Sequence, residues 1–318
     1  MTIWIIFIAV IIVFLALDLG VFNREAHIIK TKEASIWTSI WVSVALAFSG
    51  VIYWLFSNGM VENPTGLTPE NALLKYITGY LIELSLSIDN VFVIAVIFSS
   101  FKIPEKYQHR VLFWGILGAI VFRALMILFG VTLINKVDWI IYVFGAFLLY
   151  TAYKMLKSDD SDFDPKSSAM YRFLRRIFPV THRMDGDKFF IRRMGIRAAT
   201  PLFLALMVIE LTDVLFALDS IPAILAITAD PFIVFSSNIL AILGLRSMYF
   251  LISRMLQKFR FINYSLVVIL GFVGIKMILV HHVEIPEWLS LGIIVLALAG
   301  GIIASIMIPV EEESSEAS

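Results

Sequence analysis

Five acidic residues lie inside long apolar stretches of this sequence, where ionisable side chains are rare. They are Glu83, Asp89, Glu210, Asp213 and Asp219. A carboxylate at the centre of a transmembrane helix costs about 2.5 to 3.5 kcal/mol on the insertion scale, so five of them facing lipid would cost on the order of 10 kcal/mol. These carboxylates therefore need polar partners, and the candidates are buried arginines or a bound cation.

Two arginines, Arg123 and Arg246, occupy the middle of other apolar stretches. Ion pairs with these arginines are the purely structural explanation of the acids. Two guanidinium groups cannot neutralise five carboxylates, so the sequence favours a bound cation, with the arginines in a gating or charge-balancing role. Asn90 adds a neutral oxygen next to Asp89.

The available ligand types narrow the choice of metal. The chain has no cysteine, and its five histidines, at positions 27, 109, 182, 281 and 282, all lie in loops or at the ends of apolar stretches. Oxygen ligands suit Mg²⁺, Ca²⁺ and Mn²⁺, whereas zinc and copper prefer nitrogen and sulfur. The histidines and glutamates within 281–287 are an alternative collecting point for metal, although an ordinary loop is the preferred interpretation.

Four of the acids form two pairs, Glu83 with Asp89 and Asp213 with Asp219, and the members of each pair are six residues apart. Six residues are about 600 degrees around a helix, so the two acids of a pair do not share a face of a straight helix. Pro222 lacks an N–H group, and we expect a local break there that frees the carbonyl of Leu218 for an ion. Burial also favours the neutral form of a carboxylate once a cation leaves, which makes proton-coupled antiport a reasonable hypothesis.

An internal repeat carries these charges. Acid pairs, a buried arginine and a lysine occur in the same order in residues 73–156 and 199–281. The aligned residues are Glu83 with Asp213, Asp89 with Asp219, Arg123 with Arg246, and Lys154 with Lys276. Each copy has three predicted spans, an odd number, so the copies are expected to cross the membrane in opposite directions. In transporters built this way, ion sites lie near the bilayer midplane where the repeats meet.

The composition predicts an all-α, polytopic transmembrane helix bundle, because 60% of the residues are hydrophobic and only 16% are charged. Apolar runs of about 20 residues, long enough to cross the hydrocarbon layer, recur along the chain. The nine predicted spans lie near 2–22, 35–57, 73–98, 111–134, 137–156, 199–227, 232–252, 262–281 and 288–309. Residues 1–310 therefore form one transmembrane domain whose main partner is the lipid bilayer.

Lys and Arg cluster in alternate loops, near residues 24–32, 102–110, 157–197 and 254–260. The positive-inside rule places these loops in the cytoplasm, the amino terminus outside and the carboxyl terminus inside. Residues 157–198 are then a cytoplasmic loop, interpreted as a linker whose basic end touches anionic headgroups. The acidic tail 311–318 is expected to be disordered.

Several motifs resemble the TerC family of membrane proteins, and more closely its Alx-like branch. The resemblance covers residues 10–305 and is carried by Gly79-Tyr-Leu-Ile-Glu83, Ile88-Asp89-Asn90-Val91-Phe92, Glu210-Leu-Thr-Asp213 and Leu218-Asp219-Ser220-Ile221-Pro222. It implies a bacterial inner-membrane protein linked to manganese export and, under older labels, to tellurium resistance or redox modulation. It also implies metal ligands at Glu83, Asp89, Asn90, Glu210, Asp213 and Asp219.

We therefore expect a transporter of divalent cations, with Mn²⁺ as the transported ion, no permanent cofactor, no nucleic-acid partner and no enzymatic activity. A non-transporting scaffold that assists assembly or metalation of other proteins is the alternative. An intramembrane aspartyl protease is disfavoured, because the chain has no Gly-x-Gly-Asp segment and five acids exceed the needs of a catalytic dyad.

Overall fold

The computed structural model describes residues 2–17, 30–63, 66–137, 139–157, 169–181, 184, 186–193, 196–253, 261–280, 282–283 and 285–307. Its elements are α1 (Thr2–Ala16), α2 (Thr31–Ser57), α3 (Pro69–Ser100), α4 (Glu105–Lys136), α5 (Ile140–Lys157), α6 (Ala169–Ile177), β1 (Phe190–Arg193), β2 (Ile196–Ala199), α7 (Pro201–Leu225), α8 (Pro231–Ile252), α9 (Ile262–Ile278) and α10 (Glu287–Met307). The predicted tail 311–318, most of the acidic part of the 157–198 loop, His281 and Glu284 lie outside the described residues.

The helices confirm the predicted all-α, polytopic architecture. Within the described residues, α2, α3, α4, α5, α7, α8 and α10 are long and apolar enough to cross a membrane, and the apolar helices α1 and α9 are shorter. These nine helices coincide with the nine predicted spans, with ends that differ by up to six residues. The strong agreement arises because hydrocarbon thickness fixes the length of each apolar run.

Short polar signals set where the central helices begin. Thr68 caps α3 by accepting a hydrogen bond from the Asn71 N–H group. Asp230 caps α8 by accepting from the N–H groups of Phe232 and Ile233. A proline follows each cap at the first helical position, where its missing N–H has no intrahelical partner to lose.

The helices of the two predicted repeats pack on each other reciprocally. Helix α3 packs mainly on α8 and α4 on α7, while α5 packs on α9. Helix α2 covers α8 and α3, which leaves α8 the most enclosed of the candidate spans. The opposite orientation of the two copies stays a prediction, but their helices form one shared core.

Helices α5 and α9 approach each other closely at two glycines. A Cβ atom on Gly274 would lie 3.0 Å from the carbonyl oxygen of Gly145, and the reverse contact has the same length. Small residues allow membrane helices to approach this closely. Gly271, on the same helix, has open space at its Cβ position.

The segment predicted as a linker, 157–198, contains ordered elements. Helix α6 is followed by an antiparallel hairpin in which Phe190 pairs with Ala199 and Arg193 with Ile196. Thr200 hydrogen-bonds through its N–H group to the carbonyl of Phe189, which fixes the hairpin to the start of α7.

Candidate functional site

The buried centre of the molecule is an ion cluster around Arg123, whose side chain is 1% exposed. Its Nη1 group donates to Glu83 Oε1 in a close ion pair, and Nη2 donates to Asp213 Oδ1 over 3.0 Å. Nη1 also lies 3.4 Å from Asn238 Oδ1. Because these residues lie near the middle of α4, α3, α7 and α8, one guanidinium joins helices of both predicted repeats.

Asn90 belongs to the same cluster. Its Nδ2 group lies 3.4 Å from Asp213 Oδ1, on the acid that Arg123 already contacts. Asn238 is held from the other side, since its own Nδ2 donates to the carbonyl of Val234 over 3.0 Å. Asp213 is therefore positioned by a neutral donor from α3, Asn90, and a cationic donor from α4, Arg123.

Glu210 lies one helical turn before Asp213 and is 8% exposed. Its carboxylate rests against Gly118 of α4, where any Cβ atom would overlap it. The Oε2 atoms of Glu210 and Glu83 and the Oδ1 atom of Asn90 are buried without a hydrogen-bond partner among the described residues. Two carboxylates thus share one guanidinium with a third carboxylate beside them, and these three buried acceptor oxygens remain without a donor among the described residues.

Asp219 lies further along α7, apart from the ion cluster. Its Oδ1 atom accepts a hydrogen bond of 2.8 Å from the Thr151 hydroxyl, and Lys154 lies close enough for electrostatic attraction. Asp219 lines a cavity of about 550 Å³ together with Asn90 and Arg123. The cavity therefore connects Asp219 with the ion cluster.

On three helices the cavity extends from the ion cluster towards one end of the bundle. Its lining residues on α3, from Leu86 to Val96, lie towards the end of that helix at Ser100. Those on α5 and α9 likewise lie near Lys157 and Ile262. On α7, in contrast, the lining runs from Thr212 at the middle of the helix to Ser220, towards its end at Leu225. In the predicted orientation the cavity therefore extends from the cytoplasmic half past the middle of the bundle.

An ion-pair network lies at the opposite end of the bundle. Glu287 of α10 accepts from Lys75 of α3 over 3.4 Å and from Lys276 of α9 over 3.2 Å. Lys75 also donates to the carbonyl of Ile227, in the loop before α8. Glu287 therefore stabilises helix packing in the described structure, in contrast to the alternative that assigned it to a metal-collecting loop.

Burial raises the pKa of Asp230 in the loop before α8. The backbone N–H groups of Ile233 and Phe232 and the charge of Lys75 act in the opposite direction, because they favour the charged form of the carboxyl group.

The structure brings some predicted site residues together and leaves others apart. Glu83, Asn90, Asp213 and Arg123 form one cluster, with Glu210 beside it and Asp219 across the cavity. Asp89 lies in α3, but its side chain is outside the described residues, and Arg246 is buried in α8. No group of three or more His, Asp or Glu side chains that could hold a metal ion occurs within the described ranges.

The predicted break at Pro222 is wrong, because α7 runs without interruption from Pro201 to Leu225. Pro222 lies in the last turn, so its missing N–H removes a single hydrogen bond near a helix end that is already packed. The two paired acids of α7, Asp213 and Asp219, therefore point in different directions, Asp213 to Arg123 and Asp219 to Thr151.

Sequence reasoning missed three neighbours of the acids. Asn238 stands in the second repeat where the first has Gly115, and a polar residue in that apolar stretch was a usable signal. Gly118 precedes Arg123 by five residues, but nothing in its spacing indicates contact with Glu210. Thr151 gives no signal, since a threonine near a span end is common.

A bundle of apolar helices around a buried charged centre defines a multi-pass integral membrane protein. This chain belongs to the TerC family of integral membrane proteins, whose family model matches residues 68–313. It is 49% identical to "Uncharacterized membrane protein STKORF319" of Myxococcus xanthus, over 96% of this chain and 92% of that protein. It is 44% identical to "Putative membrane-bound redox modulator Alx" of Escherichia coli K12, over 91% of this chain and 89% of that protein. No solved structure matches the chain.

Proposed function

We propose that this protein transports a divalent metal cation across the bacterial inner membrane, with Mn²⁺ as the substrate and export as the direction. The observation that carries the proposal is the buried cluster of three carboxylates and one guanidinium at the centre of four helices, next to a cavity. Buried ionisable groups at the middle of membrane helices are costly and are typical of ion pathways.

Arg123 acts in this proposal as a built-in counterion. It pairs with Glu83 and Asp213, so an arriving cation has to compete with it for the same oxygens. The ligands are drawn from Glu83, Asp89, Asn90, Glu210, Asp213 and Asp219, and Arg246 balances charge in the second repeat. Oxygen ligands of this kind fit Mn²⁺, Mg²⁺ or Ca²⁺.

The cavity beside the ion cluster supports alternating access. On α3, α5 and α9 it extends from the ion cluster towards the predicted cytoplasmic ends, while the Lys75, Lys276 and Glu287 network ties helices at the other end. Transport requires a second state in which this network is open. A proton that replaces the departing cation on a buried carboxylate is the proposed coupling ion.

The redox function in the name of the Escherichia coli relative has no thiol basis in this chain, which contains no cysteine. We therefore place any redox effect downstream of metal movement. We assign the protein neither a permanent cofactor nor an enzymatic activity.

The test is Mn²⁺ flux in proteoliposomes containing the wild type, Asp213→Asn, Asp219→Asn or Asp89→Asn. Glu70→Gln serves as the control, because Glu70 is an exposed acid on the same helix as Glu83. We expect the three Asp variants to abolish flux and the control to retain it. If the wild-type protein is folded but shows no Mn²⁺ flux above that of empty liposomes, the transport proposal is overturned and the scaffold function remains. Flux that survives collapse of the proton gradient removes the coupling alone.

A further inference from the structure

Helix α6 is a short amphipathic helix with one face packed on the bundle. Leu174 on that face is 2% exposed. Tyr171, one turn earlier, makes an edge contact with Phe101, with ring centroids 5.6 Å apart. This face fixes α6 against the end of α3.

The outward face carries two adjacent stripes. Phe173 and Ile177 are 59% and 53% exposed, although both are large and apolar. Arg172 and Arg176 are also exposed. Residues four apart lie above one another on a helix, so an apolar stripe runs beside a basic one.

The position of α6 gives these stripes a membrane context. Phe101 directly follows the apolar span α3. Phe178, just after α6, makes an edge contact with Phe203 in the first turn of α7, with ring centroids 5.1 Å apart. Helix α6 therefore lies where two spans end, at the level of the headgroups on the predicted cytoplasmic face.

We propose that α6 is a binding surface for anionic phospholipid. Phe173 and Ile177 enter the acyl boundary, and Arg172 and Arg176 bind the headgroup phosphate of one lipid. Free phosphate would engage the arginines but not the apolar stripe, so the paired stripes favour a lipid. This inference is independent of the transport function.

Native mass spectrometry of the full-length protein in neutral detergent tests the proposal by titration with phosphatidylglycerol and with phosphatidylcholine of the same chains. We expect tighter binding of phosphatidylglycerol, weakened roughly five-fold for each arginine removed in Arg172→Gln and Arg176→Gln. Lys136 is an exposed cation at the last residue of α4, on the predicted outer side of the membrane. The control variant Lys136→Gln should therefore leave the binding of phosphatidylglycerol unchanged. The proposal is overturned if the wild type binds both lipids equally well. It is also overturned if the wild type and the variant that carries both Arg172→Gln and Arg176→Gln bind phosphatidylglycerol equally well. Either result favours a protein partner or free phosphate.

A second measurement uses the absence of native cysteine. A bimane fluorophore on Ile177→Cys in bilayers should be quenched by lipids with a nitroxide near the headgroup end of the acyl chain. The same label on Arg172→Cys should be quenched less, because that stripe faces the phosphates. Equal and weak quenching at both positions contradicts a helix lying in the interface, even if the arginine variants prove unstable.

Discussion

At the level of single residues, Arg123 is the contact that makes two buried carboxylates compatible. We expect Arg123→Gln to lower the free energy of unfolding by about 3–5 kcal/mol, because Glu83 and Asp213 lose their shared cation. Thermal unfolding in detergent measures the loss. Added Mn²⁺ should raise the melting temperature of the variant more than that of the wild type, since the competing guanidinium is gone.

Arg172→Gln is the control for this prediction, because Arg172 is an exposed arginine on α6 and its removal leaves no buried charge. An Arg123→Gln protein that melts at the wild-type temperature would show that the two acids are neutral or paired elsewhere. The counterion role would then have no support.

The contact between Gly118 and the Glu210 carboxylate can be tested by single substitutions. We expect Gly118→Ala to destabilise the protein by about 1 kcal/mol, the low end of the cost of overpacking, because the flexible end of the buried Glu210 side chain must shift to admit the new methyl group. Gly115→Ala, on the same helix, would place its Cβ 3.7 Å from Ile209, an ordinary contact. That control should be neutral or slightly stabilising, because alanine favours helix more than glycine.

A double variant separates the contact from a general effect on α4. Glu210→Ala removes the overlapping carboxylate, so adding it to Gly118→Ala should cost less than the sum of the two single changes. Strict additivity of the unfolding free energies would mean that Gly118 does not make room for Glu210.

At the level of elements, the α5 and α9 pair depends on the absence of side chains at its crossing point. We expect Gly274→Ala to cost about 1–3 kcal/mol, because its Cβ would meet the Gly145 carbonyl, a backbone atom that cannot rotate away. Gly271→Ala changes the same helix at an open position and should not destabilise it. Equal melting temperatures for the two variants would contradict a tight crossing.

The helices themselves were predictable because each rests on local information, namely an apolar run of the right length and, for α3 and α8, a cap followed by proline. Helix α6 and the hairpin were not, since their order depends on distant aromatic contacts such as Phe178 on Phe203. The unbroken course of α7 through Pro222 was missed for a related reason. Packing around a helix end offsets the loss of one hydrogen bond, and packing is not visible in the sequence.

At the level of the whole molecule, charged side chains are costly inside a membrane, and this cost predicted that Glu83, Arg123 and Asp213 would interact with polar partners. The sequence did not show that a single arginine would bridge both acids, because α3, α4 and α7 meet only in the folded bundle. The separate position of Asp219, beside Thr151 and the cavity, follows from the same three-dimensional packing.

If the protein transports ions as proposed, the end of the bundle that contains Glu287 must open during the transport cycle. Glu287 accepts from Lys75 and Lys276, so Glu287→Gln should weaken the ties among α3, α9 and α10 and favour opening at this end. A cysteine at Thr78, which is buried on α3 one turn from Lys75, reports that opening without background labelling. We expect a membrane-impermeant maleimide, added from the predicted outer side, to label Thr78→Cys several-fold faster when Glu287→Gln is also present than in the Thr78→Cys variant alone. Adding Glu70→Gln instead should leave the labelling rate unchanged. Labelling that is equally slow in all three proteins would mean that the network is only a structural brace and that access alternates elsewhere.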